Sequence, residues 1–199
     1  MEQFTDRIEA KERGEVDSAE RVRIWNTYLK LTRSHAQALF TINQPGKTIQ
    51  TSFSPAGGTL SGEQLEVLAT LALCTLAIEA RANHLIAELV EKGRISKAAG
   101  QAAERLPPDE KWFLLPVLAR CRRPLNATSG PHQAIRQIVS HRNRLVHVKY
   151  EKLVKKLPSG SEVLKLFERF VEAMEDMNAV LGRIRARRQA VLAIGRFAR

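Results

Sequence analysis

Residues Ser61–Gly93 read SGEQLEVLATLALCTLAIEARANHLIAELVEKG, and this stretch decides the fold. Ser61 followed three positions later by Gln64 forms a capping box, the reciprocal pairing that opens a helix. From there Leu65, Leu68, Ala72, Ile78, Ala82, Leu85, Ile86 and Leu89 recur at helical spacing as far as Gly93, a natural helix stop. The pattern predicts one long helix over residues 62–92, and a helix this apolar belongs at the centre of a core. Its most apolar run, Val67–Ile78, is bracketed by Glu66 and Glu79 and falls well short of the roughly 20 residues that cross a bilayer, so no membrane span is expected.

Outward from this helix the period stays helical. Toward the N-terminus, Val22, Trp25, Leu29, Leu31, Ala36, Leu39 and Phe40 predict a helix over 18–43, capped by Asp17 or Ser18. Gly, Pro, Ser and Thr then break the pattern over QPGKTIQTSFSPAGGTLSG, read as a mobile loop or short hairpin. Toward the C-terminus a short helix is expected over 95–106, ended by Pro107 and Pro108, then another through PDEKWFLLPVLARC, bent at Pro116. RRPLNATSG reads as a loop, and Pro131 suits the first turn of a helix running to about 149. A last helix begins near Ser161 and turns Val163, Leu164, Leu166, Phe167, Phe170, Val171, Met174, Met177, Val180, Leu181 and Ile184 to the core. Almost nothing alternates with period two. The expected fold is therefore all-α, a helical bundle with long antiparallel helices and no internal repeat. Residues 1–60 are expected to form an N-terminal helix and loop extension, 61–188 the bundle, and 189–199 a basic tail.

The formal charge is +11 over 199 residues, which favours an anionic partner: nucleic acid, an acidic protein or a membrane surface. The first residues, MEQFTDRIEAKERGE, lack the apolar core of a secretory signal, so a cytosolic protein is expected. Cys74 and Cys121 sit in apolar helical patterns without metal-ligand spacing and are read as reduced core thiols. His35, His84, His132 and His141 have no ligand-like spacing either, so neither a metal nor a cofactor is expected. Gly46-Lys47-Thr48 resembles the end of a phosphate-binding loop, but the required earlier glycine would fall at Thr41 and no strand precedes it.

The polar residues with most to say lie in SHRNRLVHVKY, Ser140–Tyr150. At about 100° per residue, Arg142 falls among Ile135, Ile138, Val139, Leu145 and Val146, within the apolar stripe. Arg136, Ser140, Asn143 and His147 gather on a neighbouring face, Asn143 and His147 in i,i+4 contact. A guanidinium unpaired in a core costs several kcal/mol, so Arg142 must either reach the interface edge or meet a carboxylate. Glu79, which interrupts the apolar long helix with Asn83 four residues on, is the expected partner.

RNRLVH, with IEARAN and EKWFLLP before it, resembles the HEPN superfamily (higher eukaryotes and prokaryotes nucleotide-binding) over about residues 62–185. Arg142, Asn143 and His147 match that family's arginine, polar residue and histidine in order. The resemblance implies a metal-independent endoribonuclease working as a homodimer, with His147 as general acid or base for 2′-hydroxyl attack. Arg142 would bind and stabilise the phosphate, and Asn143 would position one or the other. It further implies a setting in bacterial defence or a toxin–antitoxin pair, with an antitoxin or other protein as a possible partner. Glu79, Asn83 and Ser140 would support the site. Arg136, Arg144, Lys149, Arg183, Arg185, Arg187 and Arg188 would hold RNA, each phosphate neutralised adding salt-sensitive affinity. On a straight helix Arg142 and His147 are about 140° apart, so sharing one phosphate requires unwinding near His147 or a contribution from two subunits. The family also contains members that bind nucleotides or proteins without cleavage, and a non-catalytic module binding RNA, a nucleotide or an acidic protein is the rival reading. The C-terminal RIRARRQAVLAIGRFAR, with six arginines and no acid, is either an RNA-grasping arm or a solvated helix end, and its Val191, Leu192, Ile194 and Phe197 suit a partner or membrane surface.

Overall fold

The computed structural model describes residues 18–45, 52–53, 60–121, 125–126, 128, 130–146 and 157–181. The described residues form six helices: α1 Ser18–Ile42, α2 Gly62–Glu91, α3 Lys97–Glu104, α4 Pro108–Leu118, α5 Gly130–Val146 and α6 Gly160–Val180. Strands β1 Ser52–Phe53 and β2 Leu60–Ser61 pair antiparallel, Phe53 facing Leu60, as a minimal hairpin ahead of α2. The fold is all-α, and no described helix is long and apolar enough to cross a membrane.

The ends of α2 form as its sequence dictates. Gln64 N–H donates to Ser61 Oγ at 3.2 Å while Ser61 N–H donates to Gln64 Oε1 at 2.9 Å, so two otherwise orphaned donors are satisfied reciprocally. Gly93 takes φ +64° just past the C-terminus, a conformation that costs glycine little. Ser159 and Glu162 build the same box at the start of α6.

Every other described helix lies against α2, and named contacts fix their directions. On α1, Trp25 lies beneath Arg81, whose Cζ is 4.8 Å from the ring centroid, while His35 Nδ1 is 2.7 Å from Glu66 Oε2. As α1 advances α2 retreats, so the two are antiparallel. The α3–α4 segment is also antiparallel to α2: Gly100 abuts Val90, and Lys111 reaches Glu79. Gly160 N–H donates to Glu63 Oε1 at 3.0 Å and Arg81 donates to Asn178 Oδ1 at 2.7 Å, so α6 runs parallel to α2. His132 Nε2 lies 3.6 Å from Asp176 near the far end of α6, which makes α5 antiparallel to both.

The core is the volume these helices enclose around Leu71, Ile78, Leu85, Ile86, Trp112, Leu115, Ile135, Ile138, Phe167 and Phe170. Cys74 is buried there, and burial pushes its thiol pKa up, which keeps it protonated. α1 is part of this core rather than an extension to it. Trp25, Leu29, Thr32, Ala36 and Leu39 are all buried, and the α1–α2 contact is the most extensive in the bundle. Two stripes differ in phase from expectation. Leu31 is 43% exposed and Thr32 takes the inward position, its hydroxyl donating to Tyr28 O at 2.7 Å. In the first half of α2, Val67, Leu71 and Cys74 face inward, whereas Ala72 is exposed and Leu65 and Leu68 are half-buried.

Candidate functional site

α5 contains three arginines, two histidines and no carboxylate. Ala134, Ile135, Ile138 and Val139 are buried against α2 and α6 and fix the rotation of the helix. On the opposite side Arg136, Ser140, Asn143 and Arg144 are exposed. Arg142 is half-buried: its stem starts within the apolar stripe, but Nη1 donates to Asn143 Oδ1 at 3.1 Å. The side chain has thus reached the interface edge, presenting its head beside the polar strip.

The expected Arg142–Glu79 pair is not formed. His132 stands level with Asp176, and Asn178 with Arg81, so the start of α5 lies beside the Glu79 turn of α2. Arg142 is ten residues further along α5, which at 1.5 Å per residue places it about 15 Å away along the bundle axis. Glu79 and Asn83 do share a site, but its cation is Lys111 of α4. Lys111 Nζ donates to Glu79 Oε1 at 3.1 Å and to Asn83 Oδ1 at 2.9 Å. These two residues belong to a structural ion pair at the α2–α4 seam, remote from Arg142.

His147 and Lys149 follow directly on α5 and lie outside the described residues, as do Arg183, Arg185, Arg187, Arg188 and the tail 189–199. Of the arginine, polar residue and histidine triplet, the structure therefore describes the first two, adjacent and hydrogen-bonded to each other.

Beside the strip lies a cluster that the sequence pattern did not reveal. The Trp112 indole N–H donates to His132 Nδ1 at 3.3 Å, deep in the core, which requires the neutral ring with its proton on Nε2, toward Asp176. Phe113 meets His132 edge-on at 6.3 Å between centroids. The exposed Arg136 places its Cζ 4.6 Å from the Phe113 centroid. Burial lowers the His132 pKa, with Asp176 partly opposing it. His141 is lowered as well, first by burial and then by Arg144, against the pull of Glu162. Both rings therefore favour the neutral form. The only signal for this cluster in the sequence was KWF at 111–113, where a lysine stands beside two core aromatics.

Chemically, the α5 strip offers N–H donors and positive charge with no acid on its own helix, an arrangement suited to phosphate. The chain matches no protein-family model, no curated protein and no solved structure.

Proposed function

We propose that this protein is a HEPN-like endoribonuclease that cleaves RNA by attack of a 2′-hydroxyl on the adjacent phosphodiester, acting as a homodimer in a defence or toxin–antitoxin setting. The observation that carries this reading is the Arg142–Asn143 hydrogen bond, which holds a guanidinium at the exposed edge of an acid-free helix with His147 five residues on in the sequence. The net charge of +11 supports an RNA partner, and the biological setting rests on the family resemblance alone.

In this mechanism a neutral His147 takes the 2′-hydroxyl proton as the oxygen attacks phosphorus. The 5′-oxygen leaves with its electron pair and takes up a proton, giving a 2′,3′-cyclic phosphate and a 5′-hydroxyl. Arg142 binds the phosphate oxygens through its fork of N–H donors and balances the charge that builds on them. Asn143 positions Arg142. A second reading, a non-catalytic RNA-binding module, is favoured by the angular separation of Arg142 and His147, since anion binding needs the arginines and not the imidazole.

The test is incubation of the purified dimer with a mixed RNA pool in EDTA, wild type beside His147→Ala. Cleavage by the wild type alone, leaving cyclic-phosphate ends, is the expected result. Binding without cleavage by either protein would replace the nuclease by the binding module.

A further inference from the structure

The stack of Arg136 on Phe113 has no role in phosphate chemistry, yet its construction is more specific than a surface contact requires. The Phe113 ring is fixed from the inside: His132 meets it at an interplanar angle of 69°, and His132 is itself held by the Trp112 indole N–H and by Asp176. Arg136 covers the ring from the outside and remains exposed. The Arg136 guanidinium carbon lies 4.6 Å from the Phe113 centroid, and a guanidinium that stacks on an aromatic ring has one face occupied and a second open to another flat π-system.

We propose that the Arg136–Phe113 stack is a nucleobase-stacking subsite for a single-stranded RNA whose phosphate is held at Arg142. This inference rests on the RNA reading above and adds what the strip recognises beyond charge. Arg136, Ser140 and Asn143 project within about 60° of one another on the helical wheel and are all exposed, so one strand can lie along them. Seven residues separate Arg136 from Asn143, a rise of about 10 Å, roughly the reach of one or two nucleotides of extended strand. A strand with its phosphate at Arg142, beside Asn143, therefore brings a neighbouring base to Arg136. Stacking on an arginine plane selects unpaired bases, because in a duplex both faces of a base are already covered. Because α5 has no carboxylate, the strand meets no repulsive charge from this helix between the two subsites.

The experiment compares two ligands in a His147→Ala background that prevents cleavage: a labelled oligoadenylate and an abasic ribose-phosphate strand of the same length, titrated by fluorescence anisotropy. Arg136→Lys keeps the charge and removes the stacking plane. The expected result is a loss of roughly ten-fold in affinity for oligoadenylate, within the 1–3 kcal/mol that base stacking supplies, and less than about two-fold for the abasic strand. Equal changes on both strands, or none on either, would reduce the stack to a structural contact and overturn the subsite. Equal affinity of the unsubstituted site for the two strands would do the same while leaving phosphate binding intact. If neither strand binds, the RNA reading itself fails and the subsite with it.

Discussion

Lys111 Nζ stands 3.1 Å from Glu79 Oε1, with the lysine side chain 2% exposed and the glutamate 42% exposed. An ammonium this deep has given up its hydration, and its neutralisation depends on a carboxylate that water still reaches. Removing the carboxylate strands a buried charge, whereas removing the lysine leaves a glutamate that solvent can accommodate. Glu79→Ala should therefore destabilise the fold by about 1–3 kcal/mol, below the roughly 3–5 kcal/mol of a fully buried pair because Glu79 is partly exposed. Lys111→Met should change stability by less than about 1 kcal/mol or raise it. Urea unfolding of the two variants settles the asymmetry, and a larger loss for Lys111→Met than for Glu79→Ala would refute it.

The junction of α1, α2 and α6 has little room. A Cβ on Gly160 would collide with the side-chain ends of Asn43 and Glu63, both already committed: Asn43 donates to Leu39 O at 2.9 Å, and Glu63 accepts the Gly160 N–H. Moving either breaks a hydrogen bond at a helix terminus. Gly160→Ala should accordingly cost about 1–2 kcal/mol even though alanine favours helix, opposite in sign to the usual gain from this exchange at an unstrained site. A variant as stable as wild type in thermal unfolding would show that the junction yields freely.

Among the described helices, boundaries were legible where caps and breakers act locally: Ser61 with Gln64, Gly93 and the paired prolines 107–108 each mark a boundary through their own backbone chemistry. Rotation about the helix axis was legible only where polar residues interrupt the apolar ones. Between Val67 and Ile78 nearly every side of α2 is apolar, so periodicity could not choose between the Leu65–Leu68–Ala72 face and the buried Val67–Leu71–Cys74 face. Partner choice was legible in kind and not in identity. A Glu79 that interrupts the apolar long helix announces a cation, but whether Lys111 or Arg142 supplies it depends on the axial offset of α4 and α5 against α2, which no local pattern encodes. The Arg142–Asn143 hydrogen bond was legible only in part: an arginine within the apolar stripe must reach the interface edge or meet a carboxylate, and Glu79, not Asn143, was the expected partner.

Acid should weaken the fold. The folded-state pKa values of His132 and His141 lie below their ordinary value, chiefly through burial, so the unfolded chain binds more protons near neutrality. Their contribution is fully present above about pH 6.5 and is lost as pH falls through the lowered folded-state values. Protonating His132 also removes the acceptor for the Trp112 indole N–H. Further down, Glu162 is held below the usual carboxylate range by the Ser159 backbone and hydroxyl hydrogen bonds, so a second loss sets in below about pH 4.5. Urea midpoints measured downward from pH 7.5 should fall below pH 6.5. The decline should be shallower in a His132→Gln, His141→Gln double variant, and an unchanged slope there would assign the effect to other groups.

On the proposed RNA-binding function Asn143 would act through Arg142, and that dependence can be measured. Its Oδ1 holds Arg142 Nη1 at 3.1 Å, so removing it frees the guanidinium to rotate and lowers the fraction of time it faces a phosphate. Asn143→Ala should weaken RNA binding by roughly two- to ten-fold, the range of one hydrogen bond. Arg142→Ala should weaken it more, and should reduce the slope of log affinity against log salt by about one phosphate contact. If Asn143 contributes only by positioning, its substitution in an Arg142→Ala background should cost nothing further, a coupling equal to the whole effect of the single change. Additive losses would mean that Asn143 contacts the RNA independently, and an unchanged salt slope in Arg142→Ala would remove the phosphate from the role given to this arginine.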